Sequence, residues 1–391
     1  MKDGDVSTAR EIMTEFADLT GLKEEGRPLR RYLWTDAFAV CTFFELHRQT
    51  GAGDYKTLAL RLVEQVHHVL GRHREDDKRS GWISGLSEEE GRKHPTAGGL
   101  RIGKAMKERG RREPFDERLE WDRDGQYYHY LTKWMHALNR AGGATGNPVY
   151  NEWAIELAKA AHACFVYQAS RRSPKRMYWK MSIDLSRPLV PSMGQHDPLD
   201  GLITYRQLQS SILKHRESPA AQNLDSEIAD MVQLCQGMTW DTDDPLGIGG
   251  LLCDAHRWAQ LTVAQGSGEN DLLATLLDSS LRGLGRFTRT SLLMSPADER
   301  LAFRELGLSI GLRAFQRLQG LIESHPTVFG EGHPVQAKMK SLMRYQPLCE
   351  GIEKFWLDPA SRENDTWRAH REINMVMLAT SLAPDGFLSL A

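Results

Sequence analysis

Carboxylates gather at the starts of four apolar runs with helical spacing, and three of these four groups include a tryptophan. A protonated carboxylic acid can assist the departure of a leaving oxygen while a second carboxylate attacks or activates water. Tryptophan faces can stack on the apolar faces of sugar rings, so carboxylates beside tryptophans indicate carbohydrate chemistry. The four segments are residues 34–36 (Trp-Thr-Asp), 121–124 (Trp-Asp-Arg-Asp), 195–200 (Gln-His-Asp-Pro-Leu-Asp) and 240–244 (Trp-Asp-Thr-Asp-Asp).

An aspartate before a helix also has a structural explanation. It is a preferred N-cap, and its charge suits the positive end of the helix dipole. On the strength of that preference, about two in three such aspartates are expected to be N-caps. Capping does not account for the accompanying tryptophans, or for two and three carboxylates at one helix start. We therefore predict an acid/base set of Asp122 or Asp124 together with Asp243 or Asp244.

One histidine stands out by its position. His196 lies in a polar loop beside Asp197, where proton transfer is feasible; the alternative is a loop histidine that makes a structural hydrogen bond. We predict a catalytic role for His196, with His129, one turn into a predicted helix, as a second candidate base. The predicted substrate contacts are aromatic, amide or charged side chains of the same helix starts and nearby loops: Trp34, Asp36, Trp82, Arg101, Trp121, His129, Trp179, Gln195, Asp197 and Trp240.

The elements that must position these residues read as helical hairpins. Residues 31–70 form the clearest one, with apolar positions at helical spacing on both sides of a turn at residues 50–53 and Asp54 placed to cap the second helix. Four more hairpins and one unpaired helix at each end follow the same pattern. The predicted helices lie at about residues 7–19, 126–140 and 150–167 (turn 141–148), 199–213 and 224–236, 246–264 and 271–287 (turn 266–268), 298–322 and 334–356, and 365–382.

Pairing the two terminal helices gives six hairpins, which predicts an all-α, closed (α/α)6 toroid with almost no sheet. An open helical solenoid is the alternative. We expect a single domain over residues 1–391. If the helices alternate between an inner and an outer ring, all four acidic helix starts fall on the same rim.

With its six-hairpin count and W-x-D-type segments, the chain resembles the (α/α)6-toroid enzymes of carbohydrate metabolism. These include many glycoside hydrolases and the N-acylglucosamine 2-epimerase-like proteins. The resemblance covers about residues 7–385 and is architectural, since no catalytic motif of these families matches residue by residue. It implies an active site in the funnel formed by loops that precede the inner helices.

Residues 71–120 interrupt the hairpin pattern with a long segment rich in Gly, Arg, Lys and Glu. Such a segment is uncommon inside a compact domain unless it is functional or mobile. Arg101 and Lys104 stand among glycines and could hold a phosphate or carboxylate, although Ala105 replaces the Ser or Thr of a Walker motif. A surface loop is the alternative. We predict an insertion over the mouth of the barrel.

Composition excludes several partner classes. A net charge of −2 with 26% charged residues gives no reason to expect nucleic acid or an anionic membrane as the partner. Five dispersed cysteines and a polar N-terminus predict a soluble, cytoplasmic protein. Cys253 and His256 lack a second ligand pair, and residues 241–244 lack EF-hand spacing, so we expect no metal and no cofactor.

The interpretation that unites these features is a glycoside hydrolase acting on a small-molecule or oligosaccharide substrate. A sugar epimerase or isomerase, with His196 and His129 as facing bases, is the nearest alternative. The other is a non-catalytic helical binding or scaffold protein, in which the carboxylates only cap helices.

Overall fold

A computed structural model describes residues 3–23, 29–170, 173–214, 223–266, 270–330 and 334–390. The helices are α1 (Asp3–Leu19), α2 (Leu33–Thr50), α3 (Gly53–Leu70), α4 (Glu88–Lys93), α5 (Glu117–Asp122), α6 (Tyr128–Thr145), α7 (Val149–Phe165), α8 (Asp197–Lys214), α9 (Asp225–Cys235), α10 (Pro245–Gln265), α11 (Asn270–Phe287), α12 (Ala302–Ser324), α13 (Pro326–Phe329), α14 (Pro334–Leu342), α15 (Pro347–Leu357), α16 (Pro359–Arg362), α17 (Asp365–Ala369), α18 (Arg371–Leu382) and α19 (Asp385–Leu388). The strands are β1 (Gln126–Tyr127), β2 (Val166–Tyr167), β3 (Arg176–Met177), β4 (Lys180–Met181) and β5 (Pro188–Val190).

The first predicted hairpin is confirmed as α2 and α3. Gly51 ends α2 in the left-handed conformation at φ 71°, and its N–H donates to the carbonyl of His47. Glycine suits this position because a side chain would be strained there. The predicted capping by Asp54 is wrong: Ala52 occupies the N-cap without a side-chain bond, and Asp54 lies in the first turn.

The boundaries of later helices differ from the prediction at a glycine that ends one helix and a proline that begins another. α6 continues through most of the predicted turn and ends only at Gly146, whose φ is 71°. The second helix of the fifth hairpin is divided into α14, a 3-10 turn and α15, and α15 begins at Pro347. Proline has no N–H to continue the preceding ladder but fits a first helical turn. In the predicted turn at 266–268, Ser267 and Gly268 lie outside the described residues.

Within the described residues, the chain forms two compact units. The first unit comprises Ala17–His47 and Gly51–Met238, and the second comprises residues 3–16, Arg48–Thr50 and Thr239–Leu390. The expectation of a single domain stays a prediction. Among the helices that the structure describes, none has both the length and the apolar character needed to cross a bilayer.

The core of the first unit is built on α6, which packs against α7 and α8. Buried polar side chains join these helices: the Tyr128 hydroxyl donates to the Tyr205 hydroxyl at 3.0 Å, and Trp134 Nε1 on α6 donates to His67 Nε2 on α3 at 3.2 Å. In a small antiparallel sheet of order β1–β4–β5, strand β1 directly precedes α6. The sheet therefore fixes the backbone at the first turn of α6.

The second unit centres on the packing of α10 against α12. Glycines allow the two helices to approach closely, because a β-carbon on Gly249 would collide with the backbone of Gly307, and one on Gly311 would collide with Gly249. Gly250, the next residue of α10, is exposed and has open space where a β-carbon would lie. Of these two neighbouring glycines of α10, Gly249 is therefore required for the close approach to α12, whereas Gly250 is not.

This difference predicts opposite effects of two adjacent substitutions. Gly249→Ala should lower the free energy of unfolding by about 1–3 kcal/mol, because the added methyl group overpacks the contact between α10 and α12. Gly250→Ala should raise it by about 0.5–1 kcal/mol, because alanine is the better helix former. Chemical denaturation of both variants measures the difference, and equal effects of the two substitutions would contradict the proposed close approach.

Candidate functional site

Asp124 anchors the 71–120 segment to the start of α6. Its carboxylate is fully buried and accepts hydrogen bonds from Arg101 Nη1 at 3.0 Å, Arg74 Nη1 at 3.3 Å and the Gly103 N–H at 3.0 Å. The N–H groups of Lys104 and Gly125 add two further donors. With this many partners, Asp124 is placed to hold the segment in position rather than to exchange a proton.

Five aromatic rings cluster where the sheet meets α6, and we call Tyr32, Tyr127, His129, Tyr130 and Trp179 the aromatic cluster. The Tyr127 ring stacks on His129 with centroids 5.3 Å apart and lies 5.0 Å from Trp179. Tyr130 meets His129 edge to face at 4.9 Å, and its hydroxyl is 2.7 Å from the Tyr32 hydroxyl. The cluster surrounds the first turn of α6.

Three polar atoms of this region are buried and have no hydrogen-bond partner among the residues that the structure describes: Tyr127 Oη, His129 Nδ1 and Asp197 Oδ2. The nearest approach between the last two side chains joins His129 Nδ1 to Asp197 Oδ1 at 3.6 Å, which exceeds a hydrogen bond. Buried polar groups are almost always satisfied in folded proteins. Other such atoms occur elsewhere in the described residues, but these three lie close together beside the aromatic cluster, where a ligand can satisfy them.

Asp197 is the first residue of α8, and its surroundings favour the protonated carboxyl group. Burial raises the pKa of Asp197 to about 8, and the negative charge of Asp200 adds to the effect while Lys133 opposes it. Asp200 itself accepts two charge-assisted bonds of 2.6 Å from Lys133 Nζ. A β-carbon on Gly194 would collide with the Asp197 carboxyl, so glycine lets the preceding loop approach this group.

His129 is neutral at physiological pH. Burial lowers the pKa of its imidazole to about 4; the charge of Asp200 opposes this change, and Lys133 and Lys104 increase it. About 30% of the His129 side chain nevertheless remains accessible to solvent. The ring can therefore contact a ligand from solvent and exchange hydrogen bonds with it without carrying charge.

Two lysines face the Tyr127 ring, with Lys180 Nζ 5.2 Å and Lys104 Nζ 5.7 Å from its centre. Lys180 is fully buried and donates to the Glu120 carbonyl at 2.6 Å and to the Arg123 carbonyl at 2.8 Å. These bonds hold the end of α5. Burial lowers the pKa of Lys180 to about 8.

Asp122, the last residue of α5, carries a further carboxylate of this region and is exposed to solvent. It is close enough to Lys104 and to Tyr127 for its negative charge to raise the pKa of both. Burial opposes this effect at Lys104 and lowers the pKa of its ammonium group overall. The first unit thus contains an exposed carboxylate, that of Asp122, and a buried carboxyl group, that of Asp197.

Comparison with solved structures defines the fold that carries this site. No protein-family model and no curated protein matches the sequence. The GH76 α-1,6-mannanase of Salegentibacter sp. HEL1_6 matches with a TM-score of 0.53 at 12% identity, over 97% of this chain and 99% of that one. The GH76 α-mannanase of Bacteroides thetaiotaomicron gives a TM-score of 0.52 at 11% identity, over 96% of each chain.

The fold is an all-α (α/α)6 toroid. The fold class predicted from the six-hairpin pattern, including its loop-rich insertion, is therefore confirmed. A cellobiose 2-epimerase from Bacillus thermoamylovorans B4167 also matches, with a TM-score of 0.49 at 10% identity, over 92% of this chain and 89% of that one.

The structure places the predicted acidic residues of the toroid in different surroundings. Asp243, Asp244 and Trp240 belong to the second unit. Asp244 caps α10 by accepting a bond of 3.0 Å from the Gly247 N–H, and it pairs with Arg304 at 2.6 Å. Asp243 is exposed and Trp240 is buried. Their combination with Asp122 or Asp124 stays a prediction.

Several predicted substrate contacts have structural partners instead. Trp34 is 6% exposed, and Asp36 accepts a bond of 3.0 Å from the Tyr32 N–H beside its own helix start. Trp82 is buried beneath the guanidinium group of Arg72, 5.0 Å from the ring centre. As substrate contacts, these residues and Arg101 stay predictions.

The remaining predicted site residues lie directly before α8, and the two residues considered and not favoured as metal ligands lie on α10. Gln195 is exposed and His196 is half-buried, directly before Asp197. Cys253 and His256 lie on α10. Among the described residues, no group of three or more His, Cys, Asp or Glu side chains could hold a metal ion.

The sequence did not point to Tyr127 or Lys133 as site residues, and Asp200 was noted only as one carboxylate of the segment 195–200. Tyr127 occurs in an aromatic run that reads as the apolar face of a helix, whereas it lies in β1 with an unsatisfied hydroxyl. Asp200 follows Asp197 by one helical turn, which was a usable signal. Two carboxylates at this spacing repel each other unless one has a cationic partner.

The role of Asp124 predicts a large loss of stability on substitution. Asp124→Asn should lower the free energy of unfolding by about 3–5 kcal/mol, because it removes the buried counter-charge of Arg101 and one of the two carboxylates that pair with Arg74. Limited proteolysis should then cut faster within residues 71–120. Asp122→Asn, two residues away and exposed, is the control, and equal stability of the two variants would contradict the anchoring role.

The raised pKa of Asp197 predicts a pH-dependent gain of stability in Asp197→Asn. The folded carboxyl group titrates near pH 8 and the unfolded one near 3.8, so wild type loses stability as the pH rises between these values. Asparagine cannot ionise, so the melting temperature of the variant should exceed that of wild type by a margin that grows up to about pH 8. A margin independent of pH would contradict this assignment; exposed Asp365→Asn controls for loss of a carboxylate.

Proposed function

We propose that this protein is a glycoside hydrolase whose general acid is Asp197 and whose second carboxylate is Asp122. The observation that carries the proposal is the buried Asp197 carboxyl group, whose Oδ2 has no partner in the described residues, next to the aromatic cluster. In this scheme the rings of the cluster bind a sugar. Asp197 gives its proton to the leaving oxygen, and Asp122 attacks the anomeric carbon or activates water.

The environment of Asp197 suits an acid. A carboxyl group with a pKa of about 8 keeps its proton at neutral pH and can release it to a developing alkoxide. After the transfer, the carboxylate lies beside Lys133, whose positive charge already favours its ionised form. The neutral imidazole of His129, 3.6 Å away, can close to hydrogen-bond distance when substrate binds.

The fold supports this proposal by analogy. The Salegentibacter mannanase is an α-1,6-mannanase, and a variant with two consecutive aspartates replaced by alanine is inactive and was solved with α-1,6-mannotetrose. A shared fold is an associational argument, since one fold hosts many activities. This chain also has a consecutive pair, Asp243 and Asp244, so the experiment below includes Asp243 as a rival to Asp122.

A sugar epimerase is the second candidate, because His129 lies beside an acidic partner. Such an enzyme needs one base to remove a proton and a second group to return it on the opposite face. An imidazole with a pKa of about 4 is a weak base at neutral pH, which favours the hydrolase. The products decide between them, since a hydrolase releases free sugar and an epimerase forms an isomer.

The test is a turnover screen over mono- and oligosaccharides and aryl glycosides. With the first substrate found, Asp197→Asn should lower kcat by about 10²–10⁴-fold. The wild-type fall in activity near pH 8 should disappear in this variant. An aryl glycoside with an acidic leaving group should restore most of the rate, because its departure needs no proton.

The matched variants assign the second carboxylate. Asp122→Asn should abolish turnover, whereas Asp365→Asn, an exposed aspartate of α17, should behave as wild type. If Asp243→Asn is inactive and Asp122→Asn is fully active, the second carboxylate belongs to the pair Asp243 and Asp244 and not to Asp122. Full activity of Asp197→Asn on every substrate would overturn the proposed mechanism.

A further inference from the structure

A pocket of about 360 Å³ opens at the surface of the first unit beside Trp179. This volume lies in the range of small-molecule sites. Its walls come from α5, from the residue preceding its cap, from the residue directly before β4 and from the end of β5 with the two residues after it. The residues that matter here are Phe115, Glu117, Glu120, Trp121, Trp179 and Val190.

Two aromatic side chains of this pocket are unusually exposed, with Trp121 at 48% and Phe115 at 53% of their full accessible surface. The Trp121 ring meets Trp179 edge to face with centroids 4.8 Å apart. Large exposed aromatic surfaces on soluble proteins commonly mark binding sites. Here they form a concave face rather than isolated side chains.

The surrounding charges hold this face in place. Asp116 caps α5 by accepting a bond of 3.1 Å from the Leu119 N–H. On the same helix, the buried Glu120 pairs with Arg109 at 2.9 Å and with Lys180 at 3.1 Å. The short helix that carries Trp121 is therefore fixed before any ligand binds, which lowers the entropy cost of binding.

Trp179 connects the pocket to the aromatic cluster. Besides contacting Trp121, its ring lies 5.0 Å from Tyr127 and stacks on His129 with centroids 6.3 Å apart. One indole thus contributes to two neighbouring binding surfaces. A ligand longer than one ring can contact both of them.

We propose that this pocket binds a second sugar ring of the substrate, so that the enzyme acts on oligosaccharides in preference to glycosides of a single sugar. This inference rests on the proposed function. A sugar ring has apolar C–H faces and hydroxyl groups at its edge. Trp121 and Phe115 can contact the faces, while the exposed carboxylate of Glu117 can accept hydrogen bonds from hydroxyl groups.

The experiment measures binding separately from turnover. Asp197→Asn, expected to be inactive, is titrated by calorimetry with gluco-, manno- and α-1,6-manno-oligosaccharides of one to five units. Affinity should rise about tenfold when a second ring is added, equivalent to about 1.4 kcal/mol. Adding Trp121→Ala should remove this increment and leave binding of the single sugar unchanged.

Two further variants separate the indole from general damage to α5. Leu119→Ala removes an exposed apolar side chain from the same helix outside the pocket lining, and it should retain the increment. Trp121→Phe keeps an aromatic face and should retain part of it. Light scattering then shows whether Trp121→Ala changes the oligomeric state, as it would if the exposed rings joined two copies of this chain.

The outcomes distinguish this inference from the function on which it rests. If sugars bind with equal affinity at every length, or if Trp121→Ala leaves the increment intact, the second-ring site is overturned and the hydrolase proposal stands. The second-ring site is also overturned if Trp121→Ala dissociates a dimer and does not alter sugar binding. If no sugar binds to any variant, the proposed function itself fails.

Discussion

The buried carboxylate of Asp124 is the interaction on which the site in the first unit depends. The 71–120 segment contains few regular elements, so its course must be set by side-chain and backbone bonds rather than by a ladder. Asp124 supplies acceptors to Arg74, Arg101 and the Gly103 N–H from one point at the start of β1. The same anchoring places Lys104 against Tyr127.

Neighbouring aspartates of α8 show how surroundings assign different chemistry to one residue type. Asp197 and Asp200 are both at least nine-tenths buried and lie one helical turn apart. Asp200 has the ammonium of Lys133 at 2.6 Å, whereas Asp197 meets His129 only at 3.6 Å. Burial raises the pKa of Asp197, and the negative charge of the nearby Asp200 adds to this effect. In the proposed mechanism, the environment of Asp197 suits a proton donor and that of Asp200 suits a charged group that positions it.

The helices could be predicted because their signals are local. Apolar spacing and the glycine at 51 define α2 and α3 within a few residues, and the same logic counts six hairpins. The break at Pro347 and the extension of α6 to Gly146 were missed, although proline at a first helical turn is a recognisable signal. Local periodicity therefore predicts the toroid and places the helix ends less well.

The roles of the acidic residues could not be separated in the same way. Asp36, Asp124 and Asp244 all stand near helix starts, yet each has different partners in the structure. The side-chain partners of Asp124, Arg101 and Arg74, lie 23 and 50 residues away, and Arg304, which pairs with Asp244, is sixty residues away. Capping and catalysis use the same residue types, so only the tertiary surroundings distinguish them.

The unsatisfied atoms of the site contrast with the packing around them. Several buried groups of the first unit have partners, as Tyr128 has in Tyr205 and His136 has in Gln207, whose Oε1 lies 3.0 Å from its ring. Others, such as Trp82 Nε1 and His162 Nδ1, also have none among the described residues. An interior selected for stability alone would satisfy Tyr127, His129 and Asp197 too, since buried polar groups without partners are destabilising. All three occur within two residues of the starts of α6 and α8, where sheet and loop leave an approach from solvent. Stability is lost there, and the three groups keep hydrogen-bonding capacity that the proposed sugar ligand would use.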